Sequence, residues 1–277
     1  MPHNPFIIAT KSPSRDVCVF DVSKHPSLPK DDGFCPEHKC VGHTKEGYGL
    51  AWNPHIPAEL LSSSDDGSIC VWDLNQSAES VPALKTWTGH SDVAEDVSWH
   101  QHSPHVFGSV GDDMQILIWD TRGISSKNPF IRVASAHDAD IHSIAFNPHH
   151  EFLVATSSTD RLVKIWDMRN TSEAIHCLHG HEQEVLQVQW APFAPSVLAS
   201  CGADRRTRVW DLTKVVACSS ASVDNAAHEL LFVHGGHNDK ISDLSWNPMV
   251  KWAIATVSDD NILQVWRMDH NISREGM

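Results

Sequence analysis

The sequence predicts an all-β fold built from repeated four-stranded units, and three observations carry that prediction. Trp-Asp closes an apolar run at Trp72-Asp73, Trp119-Asp120, Trp166-Asp167 and Trp210-Asp211, and Trp266 ends a fifth; the steps are 47, 47, 44 and 56 residues. A second aromatic series, Trp52, Trp99, Phe146, Trp190 and Trp246, keeps the same steps. Finally, short segments alternate with period two between turn signals, and none of them carries a long apolar stripe at helical spacing.

The elements follow in a fixed order within each unit. A Gly-His or Ala-His pair opens it: Gly42-His43, Gly89-His90, Ala136-His137, Gly180-His181 and Gly236-His237. An alternating strand comes next, such as Ile141 to Phe146. Asn-Pro or Ala-Pro breaks it at Asn53-Pro54, Asn147-Pro148, Ala191-Pro192 and Asn247-Pro248. A strand of small residues, a tight turn containing Asp and a strand ending in Trp complete the pattern. The repeats run over about 42–73, 89–120, 136–167, 180–211 and 236–268, within a repeat region spanning 1–269. Residues 1–41 read as a partial first unit. Phe6 to Thr10 and Val17 to Asp21 are its second and third strands, with Phe20 where Trp is expected, and residues 270–277 are a polar tail. Three strands, four units of four and three more make about 22 strands, fewer than seven complete units need.

These letters resemble the WD-repeat family, whose four-stranded blades pack radially into a β-propeller. The resemblance implies a structural tetrad in each blade: the opening His bonds the turn Asp and a hydroxyl, and the hydroxyl holds the Trp. The sets are His43, Asp66, Ser62, Trp72; His90, Asp113, Ser109, Trp119; His137, Asp160, Thr156, Trp166; His181, Asp204, Ser200, Trp210; and His237, Asp260, Thr256, Trp266. Buried polar groups are costly unless each finds a partner, so a linked network is the economical arrangement. This accounts for five His and five Asp without a catalytic triad or a metal site. His100, His102, His105 and the pair His149-His150 read as histidines of surface loops. No catalytic residue, metal or cofactor is expected.

Composition narrows the function. The chain has 277 residues, 41 % of them hydrophobic, enough for a sizeable core. Its net charge of −14 argues against direct nucleic-acid binding and suits a basic protein partner. There is no apolar run long enough for a membrane helix and no signal-peptide pattern near Met1. Seven cysteines, with Cys70 and Cys201 inside apolar runs, fit a reducing compartment.

Particular stretches sharpen the resemblance. Ile8 to Lys11, Gly42 to Leu50, Glu95 to His100, Phe107 to Val110 and Glu229 to His237 are similar to the retinoblastoma-binding, histone-binding WD proteins that include the small subunit of chromatin assembly factor. That resemblance implies a seven-bladed relative truncated at its N-terminus, the alternative being a chain that closes in a six-bladed way. It implies a nuclear chromatin adaptor whose partners are histones three and four, histone deacetylase, chromatin assembly factor and Polycomb complex subunits. It also implies two docking surfaces. The first is an acidic top face for basic tails, assigned to the residues three and five past each opening His: Glu46, Tyr48, Glu95, Asp140, His142, Glu184, Leu186 and Lys240. Carboxylates there could hold Arg or Lys through charge-assisted bonds. Asp140, His142 and Leu186 depart from the family's Glu, Asn and Phe. The second is a side groove for a histone helix, matched by Asp224, Phe232, Val233, Asn271 and Ile272. The family's acidic, proline-containing loop is reduced here to Ser219 to His228, with one carboxylate and no proline, so this surface is expected to be impaired.

Overall fold

The computed structural model describes residues 1–26, 28, 33–214 and 229–269. Its architecture is all-β, with strands arranged as WD-type blades and, among the described residues, a single 3-10 turn at Leu212–Lys214. The chain divides into two compact units, Met1–Ser135 and Ala136–Met277.

The first unit contains β1 (Ile7–Lys11), β2 (Val17–Asp21), β3 (His38–Val41), β4 (Leu50–Trp52), β5 (Glu59–Ser63), β6 (Ile69–Asp73), β7 (Ser80–Pro82), β8 (Lys85–Trp87), β9 (Ala94–Trp99), β10 (Val106–Gly111), β11 (Ile116–Asp120) and β12 (Ile131–Val133). They form three sheets, ordered β1-β2-β3-β7, β4-β5-β6-β8 and β12-β11-β10-β9. The first departs from the expected three strands. Ser80–Pro82 adds a fourth, parallel to β3, so the described residues hold 23 strands rather than about 22.

The second unit contains β13 (Ile141–Phe146), β14 (Leu153–Ser158), β15 (Val163–Asp167), β16 (His176–Leu178), β17 (Val185–Trp190), β18 (Val197–Gly202), β19 (Thr207–Asp211), β20 (Leu230–His234), β21 (Ile241–Trp246), β22 (Ala253–Ser258) and β23 (Leu263–Arg267). Its sheets are β13-β14-β15-β16, β17-β18-β19-β20 and the three-stranded β21-β22-β23.

Core packing is local to neighbouring sheets. In the first unit Trp87, Trp99, Phe107 and Trp119 pack with Leu61, Val71 and Leu117. In the second, Trp190 and Trp210 pack with Val163, Ile165 and Leu198, while Trp246 and Trp252 close on Val209 and Ile254. The second aromatic series ties one inner strand to the one before it. The indole N–H of Trp99 donates to Ala51 O at 3.2 Å, that of Trp190 to Ala145 O at 3.1 Å and that of Trp246 to Gln189 O at 3.1 Å. Burying an indole requires a partner for its one donor, and the adjacent strand supplies it. Phe146 keeps the ring of this series without the donor.

The tetrads form with two departures. In the second, third and fourth sets the His Nδ1 lies 2.8–3.0 Å from its Asp, and Nε2 lies 2.7–2.8 Å from the hydroxyl. The Trp then donates to that hydroxyl at 2.8–3.0 Å. A neutral imidazole fits this chain: it donates to Asp and accepts from the hydroxyl. Burial pushes His137 and His181 down, which favours that neutral form. The first set is rewired. Ser68 stands at the head of β6, and its hydroxyl occupies His43 Nδ1 at 3.0 Å, leaving Asp66 at 3.8 Å. Trp72 donates to Val41 O at 3.2 Å instead of to Ser62. In the fifth set Asp260 stands 3.7 Å from His237, whose Nδ1 is buried with no hydrogen-bond partner among the described residues.

Each tetrad Asp also shapes its turn. The next residue is left-handed in all five cases: Gly67, Met114, Arg161, Arg205 and Asn261. The Asp carboxylate accepts the N–H two residues on, from Ser68, Gln115, Leu162, Arg206 and Ile262, at 2.9–3.2 Å. Such side-chain-to-backbone bonds hold the turn closed and offset the strain of a left-handed residue that is not glycine.

The loop histidines do not all lie on the surface. His100 is buried, its Nδ1 accepting the His102 N–H at 3.0 Å, and the half-buried His105 lies 3.3 Å from Thr121 Oγ1. These rings close strand ends. No His, Cys, Asp or Glu group that could hold a metal is found among the described residues.

Candidate docking surface

Three of the residues assigned to the top face, Glu95, His142 and Leu186, sit at a repeated irregularity. β9 pairs with β10 so that Ala94 and Asp96 face consecutive partners and Glu95 faces none. The same skip leaves out His142 between β13 and β14, Leu186 between β17 and β18, and Ser242 between β21 and β22. An extra residue in one strand is a β-bulge, which re-aims a side chain away from the ladder. Glu95, His142 and Leu186 are therefore singled out by the backbone as well as by their spacing.

In the first unit the backbone of Glu46 and that of the bulged Glu95 meet the C-terminal end of β5. The Glu46 carbonyl accepts from Ser64 Oγ at 2.8 Å and from Asp65 N at 2.8 Å. The Glu95 carbonyl accepts from Gly49 N at 3.0 Å and Ser63 Oγ at 3.1 Å. Gly49 is required by this approach, because a Cβ there would overlap Ser63 Oγ and the backbone of Asp96. Tyr48 stands 75 % exposed beside them.

Charge is concentrated at this strand end. Burial, and after it the carboxylates of Asp112, Asp65 and Asp96, raise the Glu95 carboxyl to about 7. Lys11 Nζ reaches in to donate to Ser63 O. Burial lowers its ammonium to about 8 against the opposing pull of Asp65 and Asp66. Sequence spacing missed Lys11, Asp65, Asp96 and Asp112. Asp96 was legible, since it lies six residues past the opening His90 at the same repeat position as Ser143, Gln187 and Asp243.

In the second unit, His142 Nε2 lies 2.8 Å from Thr159 Oγ1 and 3.9 Å from Glu184. Burial lowers the His142 pKa, opposed by Glu184 and Asp140. The Asp140 and Glu184 carbonyls accept from Thr159 N and Ala203 N, both at 3.0 Å. Ser143, Gln187 and Asp243 form a polar row: Ser143 Oγ donates to Gln187 Oε1, and Gln187 Nε2 donates to Asp243 at 3.2 Å. Leu186 is half-buried. Lys240 pairs with Asp259 at 3.3 Å, so it adds little positive charge to the row.

The side-groove residues divide differently. Phe232 and Val233 lie on β20, Phe232 half-buried with its ring 5.7 Å from that of Trp266 and Val233 exposed. Asp224, Asn271 and Ile272 lie outside the described residues.

Comparison with known families gives two matches. Residues 33–166 match the family described as EIPR1 beta-propeller. Residues 172–211 and 228–267 match the WD domain, G-beta repeat.

Proposed function

From the premise that this chain is a WD-repeat β-propeller protein, we propose that it is a non-catalytic scaffold which docks a basic, extended segment of a partner protein on its bulged inner-strand ends. One observation carries the reading. Glu95 is half-buried at a strand end it shares with Asp65, Asp96 and Asp112, and burial first, then those carboxylates, hold its carboxyl at about 7. Mutual repulsion of this kind is relieved by a cation, and an Arg or Lys side chain supplies one with directed hydrogen bonds. Exposed Tyr48 offers an aromatic face against which a guanidinium or a lysine stem packs.

The partner's identity divides into two readings. The match over residues 33–166 to the EIPR1 beta-propeller family favours a scaffold in a complex outside chromatin. The histone-tail reading, with its deacetylase, chromatin-assembly and Polycomb partners and its nuclear location, is supported by the resemblance of stretches such as Gly42 to Leu50 and Glu229 to His237. Affinity capture separates them: recovery of chromatin-assembly and deacetylase subunits favours the second, and their absence beside other stable partners favours the first.

The docking chemistry is tested by titrating an Arg- and Lys-rich peptide at low and high salt, with Glu46→Lys and Glu184→Lys made singly so that each unit is read by itself. Affinity should fall steeply with salt and at least tenfold in either variant. Unchanged affinity in both would remove the acidic strand ends from the binding surface.

A further inference from the structure

The loop joining β11 to β12 leaves a recess that the core does not fill. The buried Trp119 lines it together with Asp120, Arg122, Ile124, Asn128 and Phe130, around a volume of about 440 Å³. Ligand clefts typically run to about 300–1,000 Å³, so the recess is large enough to seat a side chain and its neighbours. The loop around it is braced. Lys85 Nζ donates to Thr121 O at 3.1 Å and to Gly123 O at 2.6 Å, and Thr88 N donates to Ser126 O at 2.9 Å, so residues in and beside β8 hold it at two points. Ser125 Oγ accepts from Asn128 N at 2.9 Å and closes its tip. Gly89 is required where the loop meets Trp119, because a Cβ there would overlap the indole ring.

Two features set this loop apart from its counterpart in the next repeat. Both begin with an Asp-Arg pair, Asp120 with Arg122 and Asp167 with Arg169, and both end on an exposed apolar residue, Phe130 and Ile175. The first is two residues longer, 121–129 against 168–174, and it adds Ile124. Ile124 is fully exposed and Phe130 is 77 % exposed. Large apolar side chains that the core leaves unused mark a contact surface when they flank a cleft. The charge is also reversed. The chain carries −14 overall, yet residues 114–135 hold three bases, Arg122, Lys127 and Arg132, against one acid, Asp120. Arg122 commits Nε and Nη2 to Asp120, and its Nη1 has no hydrogen-bond partner among the described residues. Neither Lys85, which bonds carbonyls, nor Lys127 pairs with a carboxylate among the described residues.

We propose that this recess docks a short acidic segment of a partner protein, which inserts one aromatic or branched aliphatic side chain beside Ile124 and Phe130 and sets flanking carboxylates against Arg122 and Lys127. The apolar walls supply the anchor contact, and a loop already held in place lowers the ordering cost of binding. Uncommitted N–H donors select carboxylates, whereas a basic segment would meet Lys85, Arg122 and Lys127 as like charges. The recess therefore has the opposite charge preference from the acidic strand ends. The two surfaces share no residue, so loss of one activity leaves the other in place.

The test titrates the full chain, labelled at its isoleucine methyl groups, with four short peptides that carry Asp and Glu on both sides of a single central Phe, Trp, Leu or Ile. At least one should bind saturably at low salt and shift the Ile124 methyl signal. Its affinity should fall about tenfold in the double variant Ile124→Ser, Phe130→Ser, and severalfold in Lys127→Glu. All three side chains are exposed, so these variants should retain the circular dichroism and cooperative unfolding of the parent. Binding of the basic peptide at the strand ends should be unchanged in the double variant. A counterpart with Asn and Gln in place of the acids should bind more weakly. Failure of all four peptides to bind would overturn the proposal, as would binding indifferent to the double variant or equal binding of the uncharged counterpart. Concentration-dependent dimerisation that the double variant abolishes would also overturn it, by showing that the occupant is a second copy of the chain.

Discussion

Replacing Glu95 with Gln removes a charge that the fold tolerates poorly. The folded carboxyl titrates at about 7, against its ordinary 4.5. A raised carboxyl means that the folded chain holds a proton which the unfolded chain has lost. Stability is therefore lost as pH rises from about 4.5 through about 7 and stays lost above it. A shift of this size corresponds to about 3 kcal/mol, and the partial exposure of Glu95 trims that to roughly 2 kcal/mol. Gln keeps the shape and cannot ionise. The variant should be more stable than the parent by roughly 2 kcal/mol at pH 8 and close to it at pH 4.5, with the midpoint of thermal unfolding several degrees higher at the upper pH. Urea unfolding at a series of pH values is the assay. The same variant should bind the basic peptide more weakly at pH 8, because the carboxylate that destabilises the free protein is the one a cation would neutralise. A stability difference that does not change with pH, or a variant less stable at pH 8, would refute the argument that burial and the neighbouring carboxylates raise Glu95.

Two other outcomes follow from the tetrads. Ser109→Ala should cost about 1–3 kcal/mol in urea unfolding, because it strands both His90 Nε2 and Trp119 Nε1 in the interior. Ser62→Ala should cost less, since Trp72 bonds to Val41 O and only His43 loses a partner. Burial, reinforced by Lys11, lowers His43 to about 4 from its ordinary 6.5, against the opposing Asp66. The unfolded chain therefore takes up this proton first as pH falls. Stability should decline between pH 6.5 and 4 by up to about 3 kcal/mol from this residue, and His43→Gln should flatten that part of the pH profile.

The repeat was legible because its constraints are local and recur at fixed steps. Opening His, turn Asp, hydroxyl and closing Trp sit at constant offsets in every unit, and each offset is the span of one strand and one turn. The bulge was not legible. Glu95, His142 and Leu186 share a spacing with Tyr48, but spacing cannot show that the backbone skips a ladder position at three of them. Two tetrads read as complete in letters differ in space: in one a serine at the head of β6 takes the imidazole nitrogen, and in the other Asp260 stands 3.7 Å from His237. The buried position of His100 and the half-buried one of His105 escaped for the same cause, since a polar residue beside a turn reads as surface unless its neighbours in space are known.

By itself the sequence determined the strand content, the repeat, the residues that hold each blade, and an acidic net charge. These follow from periodicity, turn chemistry and net charge, which act over a few residues or over the whole chain. The tertiary structure alone decided that Asp65, Asp112 and the Ser63-bound Lys11 gather at the strand end where Glu95 lies, and that among the described residues β23 pairs with β22 alone. Both depend on which strands lie side by side. Coulomb energy and main-chain pairing act over a few ångströms in space, whatever the separation along the chain.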